Sequence, residues 1–317
     1  MGAHFAAVEG SGEHTLPGDY GYESGRSGLF ALLQAGKPKR VHIPNYICSA
    51  IPDTLRQAGV AMVRYPVSED FMPAKVPEIG PDEWVLLVDY FGLCAEPVEC
   101  QLAALPRSQV IVDCSQSFFQ PAFDCLATLY SARKFLPVAD GGFVATRMAL
   151  PQLSADEPAA THRYRYLQER ALGEPEASRA AYLAAEAELE QANLRAVSIF
   201  TRQRATACDH VAIRQARTSN FHALAGLLPG PAFGMRQTDQ VPLCYPLPVP
   251  DADAFRTRLI ERRIFTPKYW PGVEPMTGFE RQLLENTVFL PIDHRYNTAH
   301  MAYLADAVTD ILNRSTR

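Results

Sequence analysis

Two short runs constrain this chain more than anything else in it. Trp84-Val85-Leu86-Leu87-Val88 and Val110-Ile111-Val112 are apolar at every position, with no polar alternation. A strand that is apolar on both faces must be covered on both faces, as in a parallel sheet sandwiched between helices. Each run stops at an aspartate, Asp89 and Asp113. Four further runs read as strands: Val41-His42-Ile43, Met62-Val63-Arg64-Tyr65, Ala127-Thr128-Leu129-Tyr130 and Phe143-Val144-Ala145-Thr146. Helix-like stretches at residues 29–33 and 49–58 alternate with them. The alternation predicts an α/β fold with a mostly parallel sheet.

The chain has 317 residues, a length that suits two domains of unequal size. The expected division is a large domain over residues 1–215, with 1–23 as an N-terminal arm, and a smaller α+β domain over 216–317. Within 158–196 the spacing of Tyr182, Ala185, Leu189, Ala192 and Ala196 predicts a long helix with a weak apolar stripe. A second helix is expected over 209–228, closed by Pro229-Gly230. The C-terminal part should hold strands at 241–245, 263–266 and 289–292, and helices at 253–261 and 298–312.

The bulk numbers exclude several classes. Apolar residues make up 47% and charged residues 21%, ordinary values for a globular protein. A formal net charge of −5 gives nucleic acid or an anionic membrane no reason to bind. No apolar run reaches the ~20 residues that span a bilayer, and residues 1–12 lack the pattern of a signal peptide. The seven cysteines are odd in number and contain no C-x-x-C, which argues against a disulfide framework and for a reducing cytoplasm. His42, His222 and His294 have no metal-ligand spacing, so no metal is expected.

The chemistry lies where the strands end. Asn45, Tyr46, Asp89, Tyr90, Asp113, Gln116, Ser131 and Lys134 all fall at or just past the carboxyl ends of expected strands. In open α/β sheets that edge binds ligands. Ser24-Gly25-Arg26-Ser27-Gly28 opens a helix, and free N–H groups at a helix start attract anions. One amine, one carboxylate, one aromatic ring and one anion turn are what pyridoxal phosphate needs from a protein. Lys134 would hold its aldehyde. Asp113 would keep its ring nitrogen protonated. Gly25, Arg26 and Ser27 would hold its phosphate, with the Ser131 hydroxyl beside them. Tyr46 would stack on its ring, and Gln116 would donate to its phenolate oxygen. Taken singly, each residue has a plainer use: a solvated lysine, a helix-capping aspartate, a loop aromatic. Their order along one α/β pattern is what points to the cofactor.

That order resembles the fold-type-I pyridoxal-phosphate enzymes, and more narrowly the DegT-like family of sugar aminotransferases. The turn Ser24-Gly25-Arg26-Ser27-Gly28-Leu29, then Pro44-Asn45-Tyr46, then Asp113-Cys114-Ser115-Gln116, then Lys134 with Gly141-Gly142, stand where the family has its motifs. The resemblance covers roughly residues 20 to 147. It implies an aminotransferase moving nitrogen from an amino acid such as glutamate to a keto sugar, nucleotide-linked, within a homodimer. It also places Tyr269 and Trp270, with Tyr90, on the substrate side. Three features depart from the family. Ser131 stands three residues before the lysine instead of five, Arg26 replaces a threonine, and Ser198-Ile199-Phe200-Thr201-Arg202 occupies the place of a Gly-Tyr-Asn loop. The same cofactor set also fits a lyase, a racemase or a synthase acting on an amino acid. An idle scaffold acting as a regulator is a further alternative.

Overall fold

The computed structural model describes residues 1, 5, 14–228 and 240–315. Its elements in chain order are β1 (Tyr20–Tyr22), α1 (Gly25–Gly36), β2 (Arg40–Pro44), α2 (Ala50–Gln57), β3 (Ala61–Tyr65), β4 (Glu83–Val88), α3 (Ala95–Ala103), β5 (Val110–Cys114), β6 (Ala127–Ser131) and β7 (Gly142–Thr146). There follow α4 (Glu157–Arg163), α5 (Arg165–Ala171), α6 (Pro175–Glu188), α7 (Ile199–Ala207), α8 (His210–Leu227), β8 (Cys244–Pro248), α9 (Ala252–Glu261), α10 (Gly278–Glu285), β9 (Thr287–Pro291) and α11 (Thr298–Ser315).

Seven strands form one sheet in the order β1-β7-β6-β5-β4-β2-β3. β3, β2, β4, β5 and β6 run parallel; β7 runs against β6, and the edge strand β1 runs against β7. β4 and β5 lie inside the sheet, and Val85, Leu86, Leu87, Val110, Ile111 and Val112 have no exposed surface. The unbroken apolar runs therefore have the physical cause expected of them. Because the run from β2 to β6 is parallel, the carboxyl ends of β2, β4, β5 and β6 share one edge. A second sheet, the antiparallel pair β8-β9, lies with α8 to α11 in the C-terminal part.

Four expectations change. The last residues of the supposed arm form β1 and pair with β7 from Tyr20↔Val144 to Tyr22↔Gly142. The long helix over 158–196 is three helices. Gly173 adopts a left-handed φ of +82°, Pro175 restarts the chain as α6, and α6 ends at Glu188, so Ala192 and Ala196 fall outside it. Residues 263–266 are not a strand. Arg263 takes a φ of +57°, the Ile264 N–H returns to the Leu259 carbonyl, and α9 is closed in that way. The strand expected at 241–245 begins only at Cys244. Pro229-Gly230 lies outside the described residues.

Candidate active site

Lys134 ends a single 3-10 turn, Ala132–Lys134, that starts as soon as β6 stops. The side chain is half-buried. Burial is the main cause that pulls its pKa below the usual lysine range; Asp113 and Cys48 oppose it, and Arg133 and Arg26 reinforce it. A less basic lysine holds more free amine near neutral pH, and the free amine is the nucleophile. Two contacts fix the turn from outside. Arg133 pairs with Glu186 of α6, and the Lys134 carbonyl accepts from Arg217 Nη2 at 3.1 Å. The loop after the lysine is closed by Asp140, buried and held by Arg163 Nη2 at 2.7 Å and by the Thr201 hydroxyl.

Asp113 sits at the end of β5, next to β6 in the sheet. Its Oδ1 accepts from the Ser115 N–H at 2.8 Å, which fixes the carboxylate beside Lys134. Gln116 is buried, and its Oε1 accepts from the Phe91 N–H at 2.7 Å. That bond determines which way the amide faces and leaves its NH2 as the donor. Ser131 is the last residue of β6 and is paired with Gly142.

The turn before α1 meets this edge from below. Ser24 caps the helix: its hydroxyl accepts from the Ser27 N–H at 3.1 Å and lies 2.9 Å from the Ser27 hydroxyl. Ser27 is fully buried, its N–H is taken by the Ser24 hydroxyl, and its own hydroxyl lies against that of Ser24. Among the described residues no group accepts from the Gly25 or Arg26 N–H, the open donors of a helix start. The Arg26 guanidinium donates to the Leu189 carbonyl at 3.1 Å and acts electrostatically on Lys134. Of the glycine pair after the lysine, Gly142 serves this turn. A Cβ on Gly142 would lie 2.2 Å from the Ser24 carbonyl carbon and 2.4 Å from the Gly25 nitrogen, so only glycine lets the two backbones meet.

The aromatic residues divide differently from the expectation. Tyr46 has no exposed surface; its hydroxyl donates to the Tyr269 carbonyl at 2.8 Å, and its ring packs against Trp270 and Tyr90. No face of Tyr46 is open to stack on a cofactor. Tyr90 is enclosed as well, by Tyr46, Phe71, Phe91 and Trp270, and has no surface to offer a substrate. Both rings form a wall behind the site. Tyr269 and Trp270 are half-buried on that wall, with Tyr269 against Phe91 and Phe289. In the β2–α2 loop the residue acting on both Lys134 and Tyr269 is the half-buried Cys48. The segment 198–202 is the start of α7, with the Ser198 hydroxyl capping the Thr201 N–H.

Cys48 and Arg217 escaped the sequence reading. Cys48 looks like any small core residue. Arg217 did carry a signal: it falls in the buried stripe Ile213, Arg217, Asn220, Phe221, Leu224 of α8, where an aliphatic residue is expected. Two clefts, of about 480 and 180 Å3, lie elsewhere; Arg163, Glu188 and Arg195 line the first, Ser117, Gln120 and Arg214 the second. Neither is lined by Lys134 or Asp113; the sheet topology is what marks this edge.

A mostly parallel sheet with one reversed strand, β7, next to the edge, a lysine just after β6 and an aspartate near the end of β5 make up the fold of the fold-type-I pyridoxal-phosphate enzymes. Comparison with solved structures narrows this to the fold of the DegT-type sugar aminotransferases. The aminotransferase TlmJ from Streptoalloteichus hindustanus superposes with a TM-score of 0.65 at 16% identity, over 94% of this chain and 86% of that one. DesV from S. venezuelae superposes with a TM-score of 0.65 at 17% identity, over 94% and 86%. PseC from Helicobacter pylori, an aminotransferase of pseudoaminic acid biosynthesis, gives 0.63 at 13% identity, over 93% and 86%. No family model and no curated protein sequence matches the chain.

Proposed function

We propose that the chain is a pyridoxal-phosphate-dependent aminotransferase. It takes nitrogen from an amino acid such as glutamate and gives it to the keto group of a nucleotide-linked sugar. One observation carries the reading: Lys134, Asp113 and the start of α1 meet at one edge of the parallel sheet, in a fold that sugar aminotransferases share.

The residues fit the cofactor. Lys134 would hold its aldehyde and Asp113 its ring nitrogen. The open N–H groups of Gly25 and Arg26 would take its phosphate, with Ser131 beside them. The Gln116 amide, its oxygen already engaged by Phe91, would give its NH2 to the phenolic oxygen. When bound, pyridoxal phosphate supplies an electron sink for the carbon beside the substrate nitrogen. The chain supplies the rest. The Asp113 carboxylate favours a protonated ring nitrogen. Lys134, kept less basic by burial, takes the proton from the substrate carbon and later returns it. Tyr269, Trp270 and Cys48 line the approach to it. The seven free cysteines fit a reducing cytoplasm, and among the described residues no helix is long and apolar enough to cross a membrane.

The test is Lys134→Ala. Wild-type protein given pyridoxal phosphate should turn yellow, and should release 2-oxoglutarate from glutamate as the colour fades. The variant should do neither. A variant that keeps the visible band would remove Lys134 from the role. Colour without keto-acid release from wild type would point to a lyase, racemase or synthase.

A further inference from the structure

Arg217 is the largest fully buried side chain among the described residues, with 1% of its surface exposed. It lies on the apolar face of α8, where an unpaired charge is costly. All its hydrogen bonds go to main-chain carbonyls. Nη1 donates to Pro242 at 3.3 Å and to Leu243 at 3.1 Å, and Nη2 donates to Lys134 at 3.1 Å. Its guanidinium carbon lies 4.5 Å from the ring centroid of Phe135, the residue after the lysine.

These contacts belong to a longer chain. The Leu243 N–H donates to the Phe91 carbonyl at 2.7 Å, and the Phe91 N–H donates to Gln116 Oε1 at 2.7 Å. Gln116 and the Lys134 carbonyl are thus the two ends of one hydrogen-bonded path through Phe91, Leu243 and Arg217. Short 3-10 turns have poor internal hydrogen bonds. Among the described residues no other group donates to the Lys134 carbonyl.

We propose that Arg217 is a positioning residue: its fork grips the Lys134 carbonyl and ties the lysine's turn to the Phe91–Gln116 side of the site. This rests on the reading of Lys134 as the cofactor amine. Arginine suits the task because one rigid fork reaches several carbonyls at once; a lysine ammonium is a single point. With the fork gone, the turn is free to rotate and the Lys134 amine leaves its place. A misplacement of about 1 Å costs about 100-fold in a well-oriented reaction.

The experiment compares wild type, Arg217→Lys and Arg217→Met. Each is mixed with pyridoxal phosphate and reduced with borohydride at timed intervals, and the label on the Lys134 peptide is counted by mass spectrometry. Circular dichroism melts report folding, and the glutamate reaction gives kcat and KM. Both variants should fold and label Lys134 at least about 10-fold more slowly than wild type, with kcat falling more than KM rises. A folded variant that labels at the wild-type rate overturns the proposal. If only Arg217→Lys folds, its labelling rate decides alone. If neither folds, Arg217 serves stability and the positioning role is lost. If wild-type Lys134 takes no label, the cofactor reading fails, and that result is distinct from unaffected variants of a labelled wild type.

Discussion

Asp89 caps the turn after β4 with one carboxylate oxygen, accepting from the Cys94 N–H at 2.8 Å, and has no exposed surface. Burial pushes its carboxyl up to about 6, against the pull of that N–H. The sign follows from which state keeps the proton. Between about pH 4 and about pH 6 the unfolded chain gives up this proton first, so the native state binds more protons there. Asp89 therefore costs stability as pH rises through that window, by up to about 3 kcal/mol, and the cost persists above it. Asp89→Asn should gain stability relative to wild type between about pH 4 and about pH 7, measured by urea titration at each pH. A difference that does not change with pH would mean Asp89 ionises freely in the fold. At this scale the sequence was legible where a polar group closes an apolar strand, as at Asp113 and Lys134. It was illegible where the role depends on a partner far along the chain. Tyr46 looks like a ring at the sheet edge, and only the packing of Trp270 and Tyr90 encloses it.

Helix α10 went unnoticed in the sequence, yet it holds the β2–α2 loop in place. Glu280 is fully buried and accepts from Asn45 Nδ2 at 2.8 Å, the Val67 N–H at 2.9 Å and the Met276 N–H at 2.6 Å. Glu280→Ala would strand three donors and should lower stability by about 3–5 kcal/mol in urea titration. It should also weaken cofactor binding, because Asn45 anchors the loop that carries Cys48. A loss under about 1 kcal/mol would show that water replaces the carboxylate. The inner strands β4, β5 and β6 were readable because burial on both faces leaves little but apolar residues in them, while the mostly exposed edge strand β3 was readable from its β-favouring Val63 and Tyr65. The helices of 157–207 were not. Their alanine-rich stretches favour helix throughout, and the breaks at Tyr164 and after Glu188 have no glycine or proline to mark them. Residues 263–266 look like a strand from composition alone. The left-handed Arg263 sends the Phe265 N–H to the Met1 carbonyl, and β9 already has its one partner in β8.

For the whole molecule, the apolar surface is unevenly spread. Of the large apolar side chains left exposed among the described residues, half lie between residues 172 and 227: Leu172, Leu183, Leu194, Ile199, Val211 and Leu227. A homodimer, which the family resemblance implies, is tested by mass in solution. Light scattering should give twice the chain mass at micromolar concentration, and a monomeric mass would overturn the inference. The path from Gln116 to Lys134 also orders events in time. The lysine's carbonyl is gripped by a residue 83 positions further on, and that residue is braced by Pro242 and Leu243 beyond it. On a ribosome, which delivers the chain from its N-terminus, the sheet and its lysine emerge well before the clamp that sets them. A nascent chain halted before residue 217 would carry all seven strands of the sheet but neither the arginine that grips the lysine's carbonyl nor Tyr269 and Glu280, which hold the β2–α2 loop.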